Sequence, residues 1–227
     1  MPIPKKKIGA NRKLAKTLVY ETMKEWIVNG TLAPGEKLVD SEISKYFSVS
    51  RTPVREAFHM LAEQKLVEIE PSKGTKVTLI DLDDLCSIYE TLSIIHGAAI
   101  KFSFDKLDSK ILTKLKIINR EMILAIKHDE FEKLYDLDNE FHNIFIELYG
   151  NPYITNINSV LQIHVKRAET LNFKLASSSL KSQNEHSKII SAIENNNKTV
   201  AIKEMENNWL RFIKEDYKNF NNIKKGI

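Results

Sequence analysis

The stretch from Ser50 to Ala57 constrains the fold of this chain more than any other. Its two arginines, Arg51 and Arg55, are four residues apart, so on a helix both project from one face. Ser50 suits the N-cap position, and Pro53 is tolerated in the first turn because no internal N–H bond is lost there. Apolar residues occupy another face: Val54, Ala57, Phe58 and Leu61. The pattern predicts a helix with a basic N-terminal face and an apolar back, which is typical of a helix that reads the major groove of DNA.

The elements around this helix complete a small domain. A short helix over 42–47, joined through Ser48-Val49, would form a helix-turn-helix with it. After the second helix ends near Gln64, residues 67–70 and 75–79 alternate like strands on either side of a turn. An earlier helix is indicated by an apolar stripe of Leu14, Leu18, Val19, Met23, Trp26 and Ile27. Three helices and a basic-tipped hairpin predict a winged helix-turn-helix.

The rest of the chain is helical in period from Leu85 onward, with no competing strand alternation. We expect helices near 84–103, 109–127, 129–149, 153–175, 180–195 and 199–219. Six helices of this length can bury the core of a bundle. The predicted fold class is therefore mainly α: a winged helix-turn-helix over 1–79, followed by an all-α helical-bundle domain over 80–227.

Charge is distributed unevenly between these two parts. Residues 1–80 hold 14 Lys and Arg against 9 Asp and Glu, whereas residues 81–227 hold 20 against 21. The excess positive charge thus lies in the first part, as expected when one domain contacts a polyanion. No apolar signal core follows the basic N-terminus, and the single cysteine, Cys86, excludes an internal disulfide. Both features predict a cytoplasmic protein, in which Cys86 is a small buried hydrophobe rather than a catalytic thiol.

Taken together, these residues resemble the GntR family of bacterial transcription regulators, in its FadR-like branch with a helical effector domain. The N-terminal part of the resemblance rests on Gly30-x-Leu32-x-Pro34-Gly35-x-x-Leu38, on Val49 to Ala57, on Leu66-Val67 and on Gly74. The C-terminal part rests on Asp138-x-x-x-Phe141-His142, Gly150-Asn151-Pro152 and Glu185-His186-x-x-Ile189. The resemblance covers residues from about 14 to 212, and six helices fit the shorter, vanillate-regulator type.

By this resemblance, one set of residues should contact the operator: Ser50, Arg51, Thr52, Arg55, Lys73 and Gly74. Arg51, Thr52 and Arg55 would meet the major groove, with Ser50 close to the backbone. Lys73 and Gly74, at the tip of the wing, would approach the minor groove. The chemistry agrees, because the guanidinium fork of arginine matches O6 and N7 of guanine. The alternative is that the two arginines are solvated surface charges on an ordinary helix.

A metal site is predicted in the second domain. Asp138 and His142 are four residues apart, so on a helix they share a face and can supply two ligands to one divalent ion. The resemblance implies two further ligands: His186, and a residue three positions after Met205, which here is Asn208. An amide oxygen is a poorer ligand than imidazole for zinc or nickel, so we expect such an ion to be weakly held. The alternative is a core histidine, His142, bonded to Asp138.

The effector pocket departs from the family pattern at two positions of its first helix. Leu92 stands where the family commonly has an arginine that would pair with a carboxylate, and His96 stands where it has a glutamate. Arg167 remains a candidate carboxylate partner, and Lys166 is a weaker one. The predicted effector-binding residues are therefore Arg167 and His96, for a small carboxylate metabolite.

The predicted function is sequence-specific DNA binding by a transcription regulator, with repression relieved by the carboxylate. A homodimer is expected, because one short helix reads too few base pairs and two-fold pairing doubles the site. A competing prediction is a metal-dependent hydrolase that uses Asp138, His142 and His186. It leaves the first 80 residues unexplained, and no convincing nucleophile or general base accompanies the cluster. A helical scaffold protein would leave the Arg51 and Arg55 pattern unexplained. The chain is therefore predicted not to be an enzyme.

Overall fold

The computed structural model describes residues 10–171 and 176–216. The chain divides into two compact units, Met1–Ile80 and Asp81–Ile227. The first contains three helices and a small sheet, and the second is helical throughout its described part, which confirms the mainly-α fold class. Within the described ranges, no helix is long and apolar enough to cross a lipid bilayer.

The first unit has the predicted winged helix-turn-helix, with one additional strand. Its elements are α1 (Ala10–Val28), β1 (Lys37–Leu38), α2 (Asp40–Tyr46), α3 (Arg51–Glu63), β2 (Val67–Glu70) and β3 (Gly74–Val77). The sheet is antiparallel in the order β1-β3-β2, with Glu70 opposite Gly74 at the tip of the hairpin. Strand β1 was not predicted, because two residues are too few to show an alternating pattern.

The core of this unit lies between α1 and α3. It is formed by fully buried apolar side chains, among them Val19, Met23, Ile27, Val54, Ala57 and Leu61. Two members of the predicted α1 stripe are instead exposed: Leu14 at 69% and Leu18 at 57%. The predicted N-cap of α3 is confirmed in position but not in its hydrogen bond. Ser50 occupies the N-cap position of α3 with extended backbone angles, but its side chain accepts no capping hydrogen bond.

The second unit contains the six predicted helices. They are α4 (Leu82–Ser103), α5 (Ser109–Lys127), α6 (Phe131–Tyr149), α7 (Pro152–Leu171), α8 (Ala176–Glu194) and α9 (Lys198–Arg211). A 3₁₀ turn, Phe104–Lys106, follows α4, and a π-helical turn, Phe212–Asp216, follows α9. The predicted segments 172–175 and 217–219 lie outside the described residues.

Three helix starts differ from the prediction by two residues or more. Helix α8 begins at Ala176, four residues before the predicted start. The other two differences have local reasons. Helix α4 begins before residue 84 because the carboxylate of Asp81 accepts hydrogen bonds from the backbone N–H groups of Asp83 and Asp84. Helix α6 begins after residue 129 because Asp129 adopts a left-handed conformation, with φ of 55°, which interrupts the helix.

Helix α4 packs against α6, α7 and α9, while α5 packs against α6 and α8. Gly97 permits the close contact of α4 with α9, since a Cβ atom there would lie 2.7 Å from Oε1 of Glu206. The inner faces of this bundle are not wholly apolar. Four buried polar side chains come from four different helices: His96, His142, His186 and Asn208.

Candidate DNA interface and candidate metal centre

Asp40, at the start of α2, holds both arginines of α3. Nε and Nη2 of Arg51 donate to Oδ1 of Asp40 at 3.1 and 2.6 Å, and Nε of Arg55 donates to Oδ2 at 2.7 Å. The hydrogen bond from Arg51 is the main influence that lowers the pKa of Asp40, so the carboxylate stays ionised. One carboxylate therefore fixes both guanidinium groups relative to α2 and α3.

The two arginines remain accessible despite this pairing. The side chains of Arg51 and Arg55 are 58% and 62% exposed, whereas that of Asp40 is only 13% exposed. Because Asp40 engages Arg55 through Nε alone, both terminal nitrogens of Arg55 are left for an external acceptor. Ser50 and Thr52 are also exposed beside them. The N-terminal end of α3 thus presents a positively charged, hydrogen-bond-donating surface.

The wing carries a second cationic group. Ser72 and Gly74 adopt positive φ angles of 67° and 103°, which form the tight tip between β2 and β3. Lys73 stands at this tip with 79% of its side chain exposed, and its Nζ lies 2.8 Å from Oε2 of Glu70. Lys76 shares the same carboxylate, at 2.6 Å from Oε1. The predicted wing residues Lys73 and Gly74 are therefore at an exposed hairpin tip.

In the second unit, the structure brings together three of the predicted metal ligands. Asp138 and His142 lie one turn apart on α6, and His186 reaches them from α8. The two Nε2 atoms of the histidines are 3.3 Å apart, and Asp138 lies 3.5 Å from His186 and 3.7 Å from His142. One ligand atom from each residue fits within a span of 4.8 Å. This is the one such cluster of His, Cys, Asp and Glu among the described residues.

This geometry fits a divalent ion. Two ligand atoms on a tetrahedral ion with bonds of about 2.0–2.1 Å lie roughly 3.3 Å apart, close to the distances in the cluster. Burial lowers the pKa of His142 to about 3 and that of His186 to about 4, so both imidazoles are neutral and available as ligands at neutral pH. Burial alone would raise the pKa of Asp138, but the two histidines and a hydrogen bond from Ser182 lower it.

Asn208, the predicted fourth ligand, lies on α9 beside the cluster and is 7% exposed. Its Nδ2 donates to Oε2 of Glu185 at 2.8 Å, and Arg211 donates to the same oxygen at 3.0 Å. Asn208 thus shares a largely buried carboxylate with Arg211.

Of the two predicted effector-binding residues, His96 lies beside the cluster. Its ring is fully buried, with its centroid 5.1 Å from that of His142 and 4.9 Å from that of Trp209. Nε2 of His96 lies 2.9 Å from Oδ1 of Asn158 on α7, and burial keeps the pKa of His96 well below its usual value.

Arg167 is placed differently. It is 3% exposed, and burial lowers the pKa of its guanidinium to about 10. It follows Asn158 by nine residues, which is two and a half helical turns, so the two side chains leave α7 on opposite sides. Because Asn158 contacts His96, this spacing predicts that Arg167 leaves α7 on the side away from His96. Lys166, the weaker candidate, is part of an ion pair with Asp136 at 3.6 Å.

Several residues of these sites could not be predicted from the sequence. Asp40 precedes Arg51 by eleven residues, and Ser182 follows Asp138 by 44, so neither shows a local spacing signal. Glu185 enters the sequence pattern only as the neighbour of His186, and Arg211 shows no local spacing signal. Cys86 is half-buried, and burial raises the pKa of its thiol, which disfavours a reactive thiolate.

Comparison with known families decides which class of protein carries these two sites. Residues 15–77 match the bacterial regulatory proteins of the gntR family, and residues 87–208 match the FCD domain. The chain belongs to the GntR family and carries an FCD domain. Its matched domains are those of transcription regulators rather than enzymes, which confirms the prediction that it is not an enzyme and leaves the hydrolase alternative without support.

Relatives of this GntR-family protein align with about four fifths of its length. It is 26% identical over 183 residues to the uncharacterized HTH-type transcriptional regulator YdhC of Bacillus subtilis, covering 80% of this chain and 82% of that protein. It is also 26% identical over 176 residues to the HTH-type transcriptional repressor RspR of Escherichia coli, covering 78% and 77%. The solved structure of E. coli McbR/YncC has the same fold, with a TM-score of 0.72 at 15% identity over 91% of this chain and 98% of that chain.

Proposed function

We propose that this DNA-binding regulator is a homodimeric repressor that binds an inverted-repeat operator through α3 and is released by a small carboxylate metabolite. The observation that carries the DNA-binding part is the pair of exposed arginines that Asp40 holds at the start of α3. The relative RspR is a transcriptional repressor, which supports repression as the sign of regulation.

Each DNA-contacting residue has a proposed role. Arg51 and Arg55 read guanine edges in the major groove, for which the arginine fork is suited. The hydroxyl groups of Ser50 and Thr52 suit phosphate oxygens, which position the helix without reading sequence. Lys73, with the backbone at Gly74, approaches the adjacent minor groove from the tip of the wing.

The direct test is binding of the purified protein to a fluorescent DNA fragment from upstream of its own gene. We expect saturable binding that survives an excess of unrelated duplex, and protection of two half-sites in a footprint. Equal affinity for the fragment and for unrelated duplex would contradict sequence-specific regulation at that locus. Fragments from neighbouring promoters extend the same test to other genes.

Lys73→Ala is expected to weaken binding to every duplex to a similar extent. The lysine is at an exposed hairpin tip and would contact phosphate, so its loss removes one counterion-releasing contact. The slope of log affinity against log salt should become smaller by about 1. Anisotropy titrations at several salt concentrations, with operator and unrelated duplex, measure both effects. A loss confined to the operator would mean that Lys73 reads sequence.

We further propose that Asp138, His142 and His186 hold one divalent ion in the FCD domain, with zinc or nickel bound weakly. Three protein ligands leave open positions on the ion for a carboxylate effector. His96 lies beside the cluster and would contact that effector. Arg167, which is buried on α7, is the proposed second carboxylate partner. The buried neutral imidazoles support metal binding, because no proton has to be displaced from them.

The isolated helical unit, from residue 81, is expected to be folded and dimeric without DNA. It forms a compact unit of its own, and exposed apolar side chains on its helices, such as Ile94 at 69% and Phe102 at 57%, offer surface to a second copy. Sedimentation velocity at micromolar concentration should show a dimer. A monomer at that concentration would contradict two-fold reading of the operator.

A further inference from the structure

We propose that Asp40 determines the sequence specificity of the DNA interface, because it holds Arg51 and Arg55 in the orientation that reads bases and away from indiscriminate contact with phosphates. This role rests on the proposed reading of an operator by α3. It gives a carboxylate a function opposite in sign to that of its arginine partners. The arginines raise the affinity for DNA, whereas Asp40 lowers the affinity for DNA in general and raises the preference for one sequence.

Asp40 places a negative charge within a surface that is proposed to meet a polyanion. Binding to DNA of any sequence is driven mainly by cations that neutralise phosphates. Oδ1 of Asp40 lies 2.6 Å from Nη2 of Arg51, and Oδ2 lies 2.7 Å from Nε of Arg55, so one carboxylate offsets part of the charge of both. Its presence therefore lowers the affinity for duplex in general, and any advantage that it gives to the interface lies in selectivity.

The contacts with Asp40 leave the same edge of both guanidinium groups available to DNA. Nε of Arg51 and Nε of Arg55 both donate to the carboxylate. Nη2 of Arg51 also donates, but it carries a second proton. Each arginine therefore presents the fork of its two terminal nitrogens, which matches O6 and N7 of guanine, rather than the edge that contains Nε. Asp40 thus selects one way of reading a base for both arginines.

Asp40 is itself held in place. It lies in the first turn of α2, where the helix dipole favours an anion, and α2 packs against α3. The side chain of Asp40 is far less exposed than those of the two arginines that it holds. Immobilising a flexible side chain such as arginine on a partner normally weakens binding. Here much of that ordering precedes DNA binding, so matching base edges meet two guanidinium groups that are already oriented.

Removal of Asp40 should therefore raise the affinity for unrelated duplex and lower the preference for the operator. Without the carboxylate, both arginines regain their rotamer freedom and can reach the nearest phosphate at any sequence. The preference falls because the two forks must then be ordered during binding. Loss of a residue that only supports the fold would lower the affinity for both duplexes instead.

The test compares Asp40→Asn with the parent as full chains, on the upstream fragment that the parent protects in a footprint and on unrelated duplex of the same length. Asparagine carries no charge and offers one accepting oxygen in place of two. Anisotropy titrations should show tighter binding to unrelated duplex, with a salt slope steeper by about 0.9 for each phosphate gained. The ratio of operator affinity to unrelated-duplex affinity should fall by at least roughly fivefold, since two side chains lose their prior order.

Glu42→Gln is the matched control, because Glu42 is exposed in the same first turn of α2. It removes one negative charge but leaves the carboxylate of Asp40 in place, so both affinities should change by a similar factor and their ratio should stay that of the parent. In the Arg55→Ala background, Asp40→Asn should lower the ratio by less than it does in the parent, because only Arg51 is left to orient.

Asp40→Ala is a second variant at this position and should give the same two changes. Circular dichroism melts establish which variants are folded. A parent that binds the fragment and unrelated duplex equally overturns the proposed operator reading and this role of Asp40 together. A parent that discriminates, with a ratio unchanged in Asp40→Asn, retains operator reading and overturns the role of Asp40.

Two other results would also overturn this role while operator reading stands. If folded Asp40→Asn binds both duplexes more weakly than the parent, Asp40 supports the interface without making it selective. If Asp40→Asn lowers the ratio by the same factor with and without Arg55, Asp40 does not act through that arginine.

Discussion

Arg55→Ala is expected to weaken operator binding by about 1–3 kcal/mol, or roughly 5- to 150-fold. The affinity for unrelated duplex should fall much less. Asp40 anchors Arg55 through Nε and leaves its two terminal nitrogens for a guanine edge. Alanine removes both base contacts and leaves the helix intact, because Arg55 is exposed and outside the core. Anisotropy titrations of operator and unrelated duplex at one salt concentration give the ratio of the two affinities, and this ratio should fall in the variant.

Arg120→Ala is the matched control, since it removes the same charge from an exposed position on α5 in the other unit. It should leave both affinities close to those of the parent. If Arg55→Ala and Arg120→Ala bind the operator equally well, then Arg55 is a solvated surface charge and α3 does not read sequence through it. A loss that is equal for operator and unrelated duplex would assign Arg55 to phosphate.

The sequence predicted the first unit well because its signals are local. The spacing of Arg51 and Arg55, and the apolar back of the same helix, lie within one short segment. Asp40 could not be found in this way, since its contact with both arginines depends on the angle between α2 and α3. Leu14 and Leu18 fit the period of α1 but are exposed, because periodicity identifies a face of a helix without showing how far its partner extends.

In the second unit, too, local spacings could be predicted from the sequence, whereas contacts between distant helices could not. Asp138 and His142 are recognisable as a pair because one helical turn joins them. His186 is 44 residues from His142 and entered only through the family resemblance, and the tertiary packing of the bundle is needed to bring their nitrogens to 3.3 Å. The hydrogen bond of Asn208 to Glu185 joins α9 to α8 across 23 residues, which no local spacing encodes.

His142→Ala is expected to abolish the stabilisation that a divalent ion gives to the folded protein. An ion that binds only the native state adds about 2.7 kcal/mol when present at 100 times its Kd. Without His142, Asp138 and His186 are too few to retain it. Thermal unfolding with and without ion, in parent and variant, measures the difference. Metal-free His142→Ala will itself be less stable, because His142 is 1% exposed and its ring is close to those of Phe141, His186 and Trp209.

Each variant is compared with itself, with and without ion, and only the change in melting temperature that the ion produces is used. The effect of lost packing is the same in both measurements and therefore cancels. His128→Ala, at an exposed position after α5, is the control and should keep the full shift. If the parent shows no shift with manganese, zinc or nickel, the three side chains are a buried hydrogen-bond cluster. The neutral imidazoles would then stabilise the bundle through Asp138 and through ring contacts such as that of His186 with Phe141, whose centroids are 3.8 Å apart. An effector would in that case have to act through a different pocket of the FCD domain.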